Sequence, residues 1–221
     1  MEIQLFIDEN QIIIPNTIVN TVIAGIILSI LAITAGHKAK KADIDEPPSG
    51  FMNLIEIMVE SINNMVVSNM GERNIKFAPF ILTLISFLVV SNLSGLFTIV
   101  SPTSDYSVTL TLALIVFFTI QYNKIKSQGG MLGYMKGFAK PYAVMTPINI
   151  ISEIANPVSM SFRLFGNIMS GTLIMGMLYS ALGYFAPLIT PVLHLYFDIF
   201  SGVLQAFIFT MLTMVFINNA T

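Results

Sequence analysis

Hydrophobic residues run along most of this chain in long uncharged stretches, and short polar segments separate them. Residues 18–36 are long enough to cross a bilayer, because a spanning helix needs about 20 apolar residues. Residues 77–100 and 107–122 predict two further spans, of which the second is short. Residues 148–180 and 188–218 would form helices of about 50 and 45 Å at 1.5 Å per residue. Since a bilayer core is about 30 Å thick, these two must tilt, kink or lie partly along the membrane.

Residues 51–70 differ from these stretches because their apolar side chains follow helical spacing, while Glu56, Glu60 and Asn63 occupy another face. This pattern predicts an amphipathic helix at the membrane interface. A helix packed on a soluble partner is the less favoured alternative, because both neighbouring segments are predicted spans. Of the polar segments, residues 43–48 predict an acidic turn, and residues 124–140, with four lysines, predict a loop.

The composition agrees with a membrane protein. Of the 221 residues, 55% are hydrophobic and 10% are charged, and the mean hydropathy is +0.80. A soluble globule cannot bury that much apolar surface, which excludes a soluble enzyme and a disordered chain. With 10 basic against 12 acidic residues, no basic face can neutralise a nucleic acid backbone. The absence of cysteine excludes disulfides and thiolate chemistry. We therefore predict an all-α membrane protein forming one membrane domain over residues 1–221.

The basic residues predict the orientation of the chain. Residues 1–10 carry three acidic residues and no basic one, so they do not resemble a signal peptide. If the N-terminus lies outside and the spans alternate, nine of the ten cations lie inside. These are Lys38, Lys40, Lys41, Arg73, Lys76, Lys124, Lys126, Lys136 and Lys140. Because cytoplasmic segments are enriched in Lys and Arg, this separation favours an N-out, C-in topology.

The tenth cation, Arg163, lies in the middle of the first long apolar stretch. An arginine at the bilayer centre costs about 2.5–3.5 kcal/mol, which points to a function. Polar residues recur around it at steps of 4, 3, 4, 4 and 3, so they share one helix face. This stripe consists of Ser152, Asn156, Ser159, Arg163, Asn167 and Ser170. Gly166 and Gly171 beside it leave room for the close approach of another helix.

The second long stretch carries its own polar stripe, at steps of 4, 3 and 4: His194, Asp198, Ser201 and Gln205. The two stripes can face one another across the connection at residues 181–191. Interhelical hydrogen bonding is the alternative explanation for the serines and for Gln205. A side chain that reaches back to the interface is the alternative for His194. For Arg163 the alternative is a structural ion pair with Asp198 or Glu153.

These residues favour an ion path over catalysis. The chain has no phosphate-binding loop, no dinucleotide fingerprint and no zinc-protease motif, and we expect no cofactor and no metal. A Ser–His–Asp arrangement could be drawn from His194 and Asp198, but no nucleophile-elbow motif supports it. Arginine stays charged, so it can hold a mobile carboxylate ionised without releasing a proton itself.

Three motifs resemble segments of one family. Residues 157–167, PVSMSFRLFGN, resemble the signature of subunit a of F-type ATP synthases, the stator channel of the membrane rotor. Residues 204–209, LQAFIF, resemble its second signature, and residues 91–96, SNLSGL, resemble its asparagine-containing segment. The resemblance extends over most of the chain in matching order, and the lysine-rich inner loops are similar to bacterial members.

The resemblance implies an ion-translocating stator subunit with no catalytic site of its own. The long hairpin would run along a ring of c subunits, with Arg163 facing the carboxylate of each passing subunit. Ions would enter one of two offset half-channels and leave by the other, which couples their flow to rotation and ATP synthesis. The residues do not decide between H⁺ and Na⁺. The implied partners are the c-subunit ring, the peripheral stalk b subunits, other ATP synthase subunits and the lipid bilayer of a bacterial plasma membrane, with no nucleic acid.

The resemblance also assigns roles to single residues. Arg163 matches the essential arginine, Asn167 the asparagine one turn later, and Gln205 the glutamine across the hairpin. Thr172 departs from the pattern, because many relatives have Glu or His there. The titratable group of the outer half-channel is therefore expected at Asp198.

Three further residues complete the candidate site. Asn92 is expected along the outer route, and Glu153 in the inner half-channel. His194, near the outer end of its helix, is the last candidate.

Two other classes of function compete with this interpretation. A secondary transporter could use Arg163 to bind an anionic substrate, but it would be favoured by inverted repeats or a pair of broken helices, and neither is evident. A purely structural scaffold predicts that Arg163→Ala weakens assembly and leaves coupling intact.

Overall fold

The structure is a computed structural model that describes residues 3–7, 10–41, 50–97, 99–138 and 143–221. For residues 3–7, 10–14, 136 and 143 it describes the backbone. Strands β1 (Ile3–Ile7) and β2 (Asn10–Ile14) pair antiparallel, with Ile3 opposite Ile14. The helices are α1 (Asn16–Lys41), α2 (Gly50–Met70), α3 (Ala78–Leu93), α4 (Tyr106–Ser127), α5 (Met131–Phe138), α6 (Thr146–Leu182), α7 (Ala186–His194) and α8 (Gly202–Ala220). The predicted acidic turn at residues 43–48 lies outside the described residues.

Four helical stretches among the described residues are long and apolar enough to cross a membrane. They are residues 16–41, 72–97, 106–127 and 146–220. The last stretch contains both arms of the hairpin, α6 and α7–α8. The predicted helical membrane fold is confirmed, and the arrangement of the spans across the membrane stays a prediction. The short N-terminal strand pair was not predicted.

The loop predicted at residues 124–140 is wrong. Helix α4 continues to Ser127 and has 22 residues, so the third span is not short, and α5 occupies residues 131–138. Asp105 caps the start of α4, where its carboxylate accepts a hydrogen bond of 2.8 Å from the Ser107 amide. At the other end, Lys124 and Lys126 lie in the last turn, where a positive charge interacts favourably with the helix dipole.

The second arm of the hairpin is not the continuous helix predicted over residues 188–218. A π-helical segment, Leu195–Ser201, separates α7 from α8. Such segments bond residue i to i+5 and occur often at functional sites. The predicted connection at residues 181–191 is itself largely helical. Helix α6 ends at Leu182 and is capped by Gly183, which has a φ of 47°, and α7 starts at Ala186.

The second span also ends earlier than predicted. Helix α3 stops at Leu93, and a 3₁₀ turn covers Ser94–Phe97 in place of a helix to residue 100. A second 3₁₀ turn, Glu72–Phe77, precedes α3. The polar Ser94 hydroxyl bonds back to the Ser91 carbonyl at 2.7 Å, which satisfies a carbonyl that the ending helix leaves open.

Two apolar clusters hold the helices together. The first lies where α3, α4, α6 and α8 meet, and its members are Leu84, Leu88, Ala113, Val116, Met160, Leu164, Ala206 and Phe209. The second joins α2 to α3 and α8 through Ile62, Val66, Met70, Ala78, Ile81, Met214 and Ile217. The C-terminal half of α2 is therefore packed, whereas Leu54 and Met58 in its first half stay exposed.

Polar contacts tie the ends of the bundle. At one end, Thr17 of α1 donates to Asp105 at 2.9 Å, and Asn20 donates to the Val100 carbonyl at 2.8 Å. At the other end, Asn74 donates to Thr221 at 3.0 Å. The start of α1 and the end of α8 thus lie beside different connections of the bundle. The membrane side that each end faces stays a prediction from the lysines.

Candidate functional site

Arg163 lies near the middle of the 37-residue helix α6, and its side chain is exposed on the surface of the chain. Among the described residues it makes neither an ion pair nor a hydrogen bond. Asp198 instead contacts His194, and Glu153 contacts Lys124. The alternative of an internal ion pair between Arg163 and either acid is therefore wrong.

The two faces of α6 differ in what they contact. Its buried residues, which include Met160 and Leu164, pack into the core where α3, α4 and α8 meet. Of the predicted polar stripe, Ser152, Ser159, Arg163 and Ser170 are exposed, while Asn156 and Asn167 are half-buried. A Cβ added at Gly166 would meet no atom within 4 Å. The stripe thus lies on a surface of the chain whose small residues leave open space around the guanidinium.

One member of the stripe connects the two arms of the hairpin. The Ser201 hydroxyl donates to the side-chain oxygen of Asn167 at 2.8 Å, and the Asn167 amide lies 3.5 Å from the Ser201 carbonyl. Phe197 packs against Gly171 one turn further along, at 3.8 Å from a Cβ built there. The two polar stripes therefore face one another at Asn167, as the spacing predicted.

Gln205 is buried in α8, with 7% of its surface exposed. Its amide nitrogen is buried and has no hydrogen-bond partner among the described residues. A buried donor left without a partner costs about 1–3 kcal/mol, so its presence here calls for an explanation beyond packing. This observation makes Gln205 a candidate functional group.

Asn92 joins α3 to the start of α8. Its amide donates to the Gly202 carbonyl at 2.8 Å, and its oxygen accepts from the Thr103 hydroxyl at 2.8 Å. Gly202 permits this approach, because a Cβ there would lie 3.2 Å from the Asn92 Cβ. Only 2% of Asn92 is exposed, so the residue forms part of a buried polar connection that Ser101 and Thr103 extend.

Asp198 and His194 form a short polar chain with Tyr179, near the turn that joins α6 to α7. Nδ1 of His194 contacts the Asp198 carboxylate, and its Nε2 lies 2.8 Å from the Tyr179 hydroxyl of α6. Asp198 lies in the π-helical segment. Thr172 is exposed, and its hydroxyl donates to the Ile168 carbonyl within α6, at 3.0 Å. Among the described residues, His194 is thus joined to Asp198, and Thr172 is hydrogen-bonded to neither.

Glu153, near the start of α6, belongs to a separate cluster with α4 and α5. Lys124 forms an ion pair with its carboxylate, and the Gln121 amide donates to the second oxygen at 2.7 Å. The Tyr134 hydroxyl of α5 donates to Gln121 at 2.8 Å. Burial, together with the nearby Glu153 carboxylate, raises the pKa of Tyr134 above its ordinary value, so this hydroxyl keeps its proton.

Sequence reasoning missed several of these partners. It counted Lys124 only as an inner cation and did not single out Gln121, Tyr134 or Tyr179. Gln121 and Lys124 are three residues apart on α4, and this spacing is the signal that places both on one helix face. Among the described residues, no group of three His, Cys, Asp or Glu could hold a metal ion.

Comparison with known proteins identifies the family. Residues 18–218 match the family described as ATP synthase A chain. This chain belongs to that family. It is 41% identical over 174 residues to "ATP synthase subunit a 2" of Bradyrhizobium sp. strain BTAi1, covering 78% of this chain and 76% of the relative.

Two further relatives show the range of the family. The chain is 34% identical over 220 residues to "ATP synthase subunit a" of Lysinibacillus sphaericus, covering 92% of this chain and 90% of the relative. It is 35% identical over 194 residues to "ATP synthase subunit a, sodium ion specific" of Propionigenium modestum, covering 80% and 64%.

Membership in the ATP synthase A chain family places this chain in a complex with other ATP synthase subunits. Together with its apolar helices, it identifies a membrane subunit that takes part in ion transport and ATP synthesis. The expected family resemblance is therefore confirmed over nearly the whole chain.

Proposed function

We propose that this chain is the ion-translocating stator subunit of an F-type ATP synthase in a bacterial plasma membrane. It lies beside a ring of c subunits, contacts the b subunits of the peripheral stalk, and is oriented N-out, C-in as a single membrane domain. Two offset half-channels lead ions to and from the ring carboxylates. The flow of H⁺ or Na⁺ through them drives rotation and ATP synthesis.

The observation that carries this proposal is the position of Arg163. An unpaired cation in the middle of a membrane helix costs about 2.5–3.5 kcal/mol. No described residue of the chain offsets that cost, and the side chain is exposed on the protein surface. A carboxylate supplied by a neighbouring subunit would offset it. The small residues Ser159 and Gly166 beside Arg163 allow a neighbouring helix to come close.

A permanent cation at this point can do two things. Its attraction favours the ionised form of a ring carboxylate, so an arriving subunit releases its bound ion. Its charge also repels a cation that would cross directly from one half-channel to the other. A lysine is a poorer choice, because its pKa falls readily when it is buried and it can then lose its proton.

The remaining candidates divide between the two half-channels. We assign Asn92, Asp198 and His194 to the outer half-channel, and Glu153 to the inner one. Asn167 and Gln205 flank Arg163 from the two arms of the hairpin. The Asn167–Ser201 contact supports this placement, as does the Gln205 amide, which has no hydrogen-bond partner in the described part of the chain. Thr172, which cannot titrate, provides a hydroxyl near the outer route.

The coupling ion is H⁺ or Na⁺. The relative from Propionigenium modestum is named sodium ion specific, whereas the names of the relatives from Bradyrhizobium and Lysinibacillus specify no ion. The carboxylates and hydroxyls of this chain are compatible with either ion. Protection of the assembled enzyme by added Na⁺ against carbodiimide modification would identify Na⁺, and the absence of protection would identify H⁺.

The test compares Arg163→Ala with Arg73→Ala in the complete enzyme reconstituted in vesicles. Arg73 is the only other arginine of the chain and is exposed in the turn before α3. We expect the Arg163 variant to assemble and to lose ion-driven ATP synthesis by about a hundredfold or more, as expected when a preorganised charge is removed. The Arg73 variant should keep its activity. Normal coupling in an assembled Arg163→Ala enzyme would overturn the proposal and favour a scaffold.

A further inference from the structure

Two of the cavities that border Glu153 are also lined by Lys124. One has a volume of about 190 Å³ and runs between α4, α6 and α8 as far as Met160, one turn before Arg163. The other has a volume of about 180 Å³ and is bounded by α5 through Tyr134 and Phe138. Lys124, Glu153 and Asn156 line both cavities. A cation that passed from one cavity to the other would therefore pass this carboxylate.

Both oxygens of that carboxylate are occupied. One forms the ion pair with Lys124, and the other accepts from Gln121 at 2.7 Å. The Lys124 and Glu153 side chains are 25% and 19% exposed, so the pair is neither fully dry nor freely solvated. The ammonium is a cation, as is the ion that the proposed function passes through this half-channel, so the carboxylate attracts both.

Helix α5 holds Lys124 in this position. The Lys124 nitrogen lies 5.9 Å from the centre of the Tyr134 ring and 5.4 Å from that of Phe138, both within cation–π range. Tyr134 also fixes Gln121 through its hydroxyl, which the raised pKa keeps protonated. From α8, Phe216 and Asn219 line the first cavity, and neither side chain titrates.

We propose that Lys124 is a positioning residue, a tethered cation that occupies Glu153 whenever the translocated ion is not there. The inference rests on the proposed function, because that function places Glu153 in the inner half-channel. An ion that arrives at Glu153 displaces an ammonium that cannot diffuse away. The translocated ion therefore binds more weakly to Glu153 and is released faster towards either cavity. Without Lys124, the carboxylate retains the ion.

The test measures ATP-driven ion uptake by the complete enzyme in vesicles. The rate is recorded as a function of the ion concentration on the side of the membrane to which ATP is added. Both proton and Na⁺ concentrations are varied as probes. We expect Lys124→Gln to lower the half-saturating concentration of the coupling ion about twofold to fivefold, the range expected for a partly exposed ion pair. Lys124→Arg keeps the charge, so this variant should have the same half-saturating concentration of the coupling ion as the wild type.

Lys126→Gln is the matched control, because Lys126 is exposed in the same last turn and carries the same charge. The inference is overturned if Lys126→Gln produces the same shift as Lys124→Gln, since general surface charge would then explain both. It is also overturned if the assembled Lys124→Gln enzyme keeps the original half-saturating concentration for both probes.

A second comparison applies if Lys124→Gln alone does not assemble. Glu153→Gln and the double variant Lys124→Gln/Glu153→Gln both lack the carboxylate for which the cations compete. We expect them to have equal half-saturating concentrations, and a difference would overturn the inference. Arg163→Ala tests the proposed function separately. Loss of coupling in that variant, with no shift in Lys124→Gln, would retain the function and overturn only this inference.

Discussion

The hydroxyl of Ser201 donates to the side-chain oxygen of Asn167 at 2.8 Å and thereby joins the two arms of the long hairpin one turn from Arg163. This contact connects the π-helical segment to α6. It fixes the distance between the arginine face and the arm that carries Asp198 and Gln205. The two arms of the hairpin, which carry the residues of the proposed ion path, are therefore joined by a polar contact within the apolar bundle.

Ser201→Ala should weaken this connection. A hydrogen bond between membrane helices contributes about 0.6 kcal/mol, so we expect a small loss of thermal stability in the purified enzyme. Thr119→Ala is the control, because within the described part of the chain its hydroxyl bonds to the Ile115 carbonyl of its own helix, at 2.8 Å, and to no other helix. Equal stability losses in both variants would mean that the Asn167–Ser201 contact adds nothing specific.

Two glycines allow a test of which face of the hairpin is free. A Cβ at Gly202 would lie 3.2 Å from the Asn92 Cβ, whereas one at Gly166 would meet nothing within 4 Å. Gly202→Ala should therefore destabilise the subunit by about 1–3 kcal/mol through overpacking. Gly166→Ala should leave the stability of the isolated subunit intact but reduce rotation in the assembled enzyme, because the new methyl group faces the ring. Equal losses of subunit stability would argue against an open face at Gly166.

Asp105 predicts a dependence of stability on pH. The hydrogen bond from the Ser107 amide lowers the pKa of Asp105 below its ordinary value of 3.8, against the opposing effect of burial. The stabilisation by the carboxylate is therefore fully present above about pH 4 and is lost as the pH falls through the lowered pKa. Asp105→Ala should cost about 1 kcal/mol at pH 7 through the lost cap. In acid unfolding curves, the difference from the wild type should shrink below about pH 4.

Asp105→Asn provides the control for that measurement. Asparagine also caps helices, so this variant should keep most of the stability at pH 7 and lose the dependence below about pH 4. A wild-type protein whose advantage over Asp105→Ala is unchanged in acid would contradict the assignment of the carboxylate as the cap.

Asp198→Asn tests the outer half-channel. The substitution removes the charge that contacts His194 and keeps the size of the side chain. If Asp198 passes ions to the ring, ion-driven ATP synthesis should fall by about a hundredfold or more, in the range for a positioned proton-transfer group. The amount of assembled enzyme should not change. Asp45→Asn is the control, because it makes the same replacement in the acidic segment between the first two helices, outside the candidate site. Unchanged synthesis in Asp198→Asn would exclude the residue from the path.

The helical spacing of the sequence predicted the most distinctive parts of the fold. Long uncharged runs require helices in a bilayer, and the 3.6-residue period places Arg163 on the same face as Ser159 and Asn167. The structure has this face exposed, apart from the half-buried Asn156 and Asn167. Two of the three family motifs lie on the arms of the hairpin, and the third lies at the end of α3, so the sequence alone indicated the elements that form the candidate site.

Contacts between distant segments could not be predicted in the same way. The pairing of Lys124 with Glu153 depends on how α4 packs against α6, and spacing within one helix carries no information about it. The π-helical segment Leu195–Ser201 is a second example, because it contacts Gly171 and Asn167 of α6 and the helical spacing of the sequence does not distinguish it from an α-helix. Loop predictions based on lysines also failed, since Lys124 and Lys126 end a helix whose dipole favours them.

Cross-linking between this chain and the ring tests the central claim most directly. The chain has no cysteine, so Ser159→Cys, one turn before Arg163 and exposed, would be its only thiol. Ile26→Cys, which is exposed on α1, is the control. With a cysteine placed beside the ring carboxylate, we predict that oxidation links the ring to Ser159→Cys, stops rotation, and leaves Ile26→Cys unlinked. Cross-linking at Ile26→Cys, with none at Ser159→Cys in an assembled enzyme, would contradict the account.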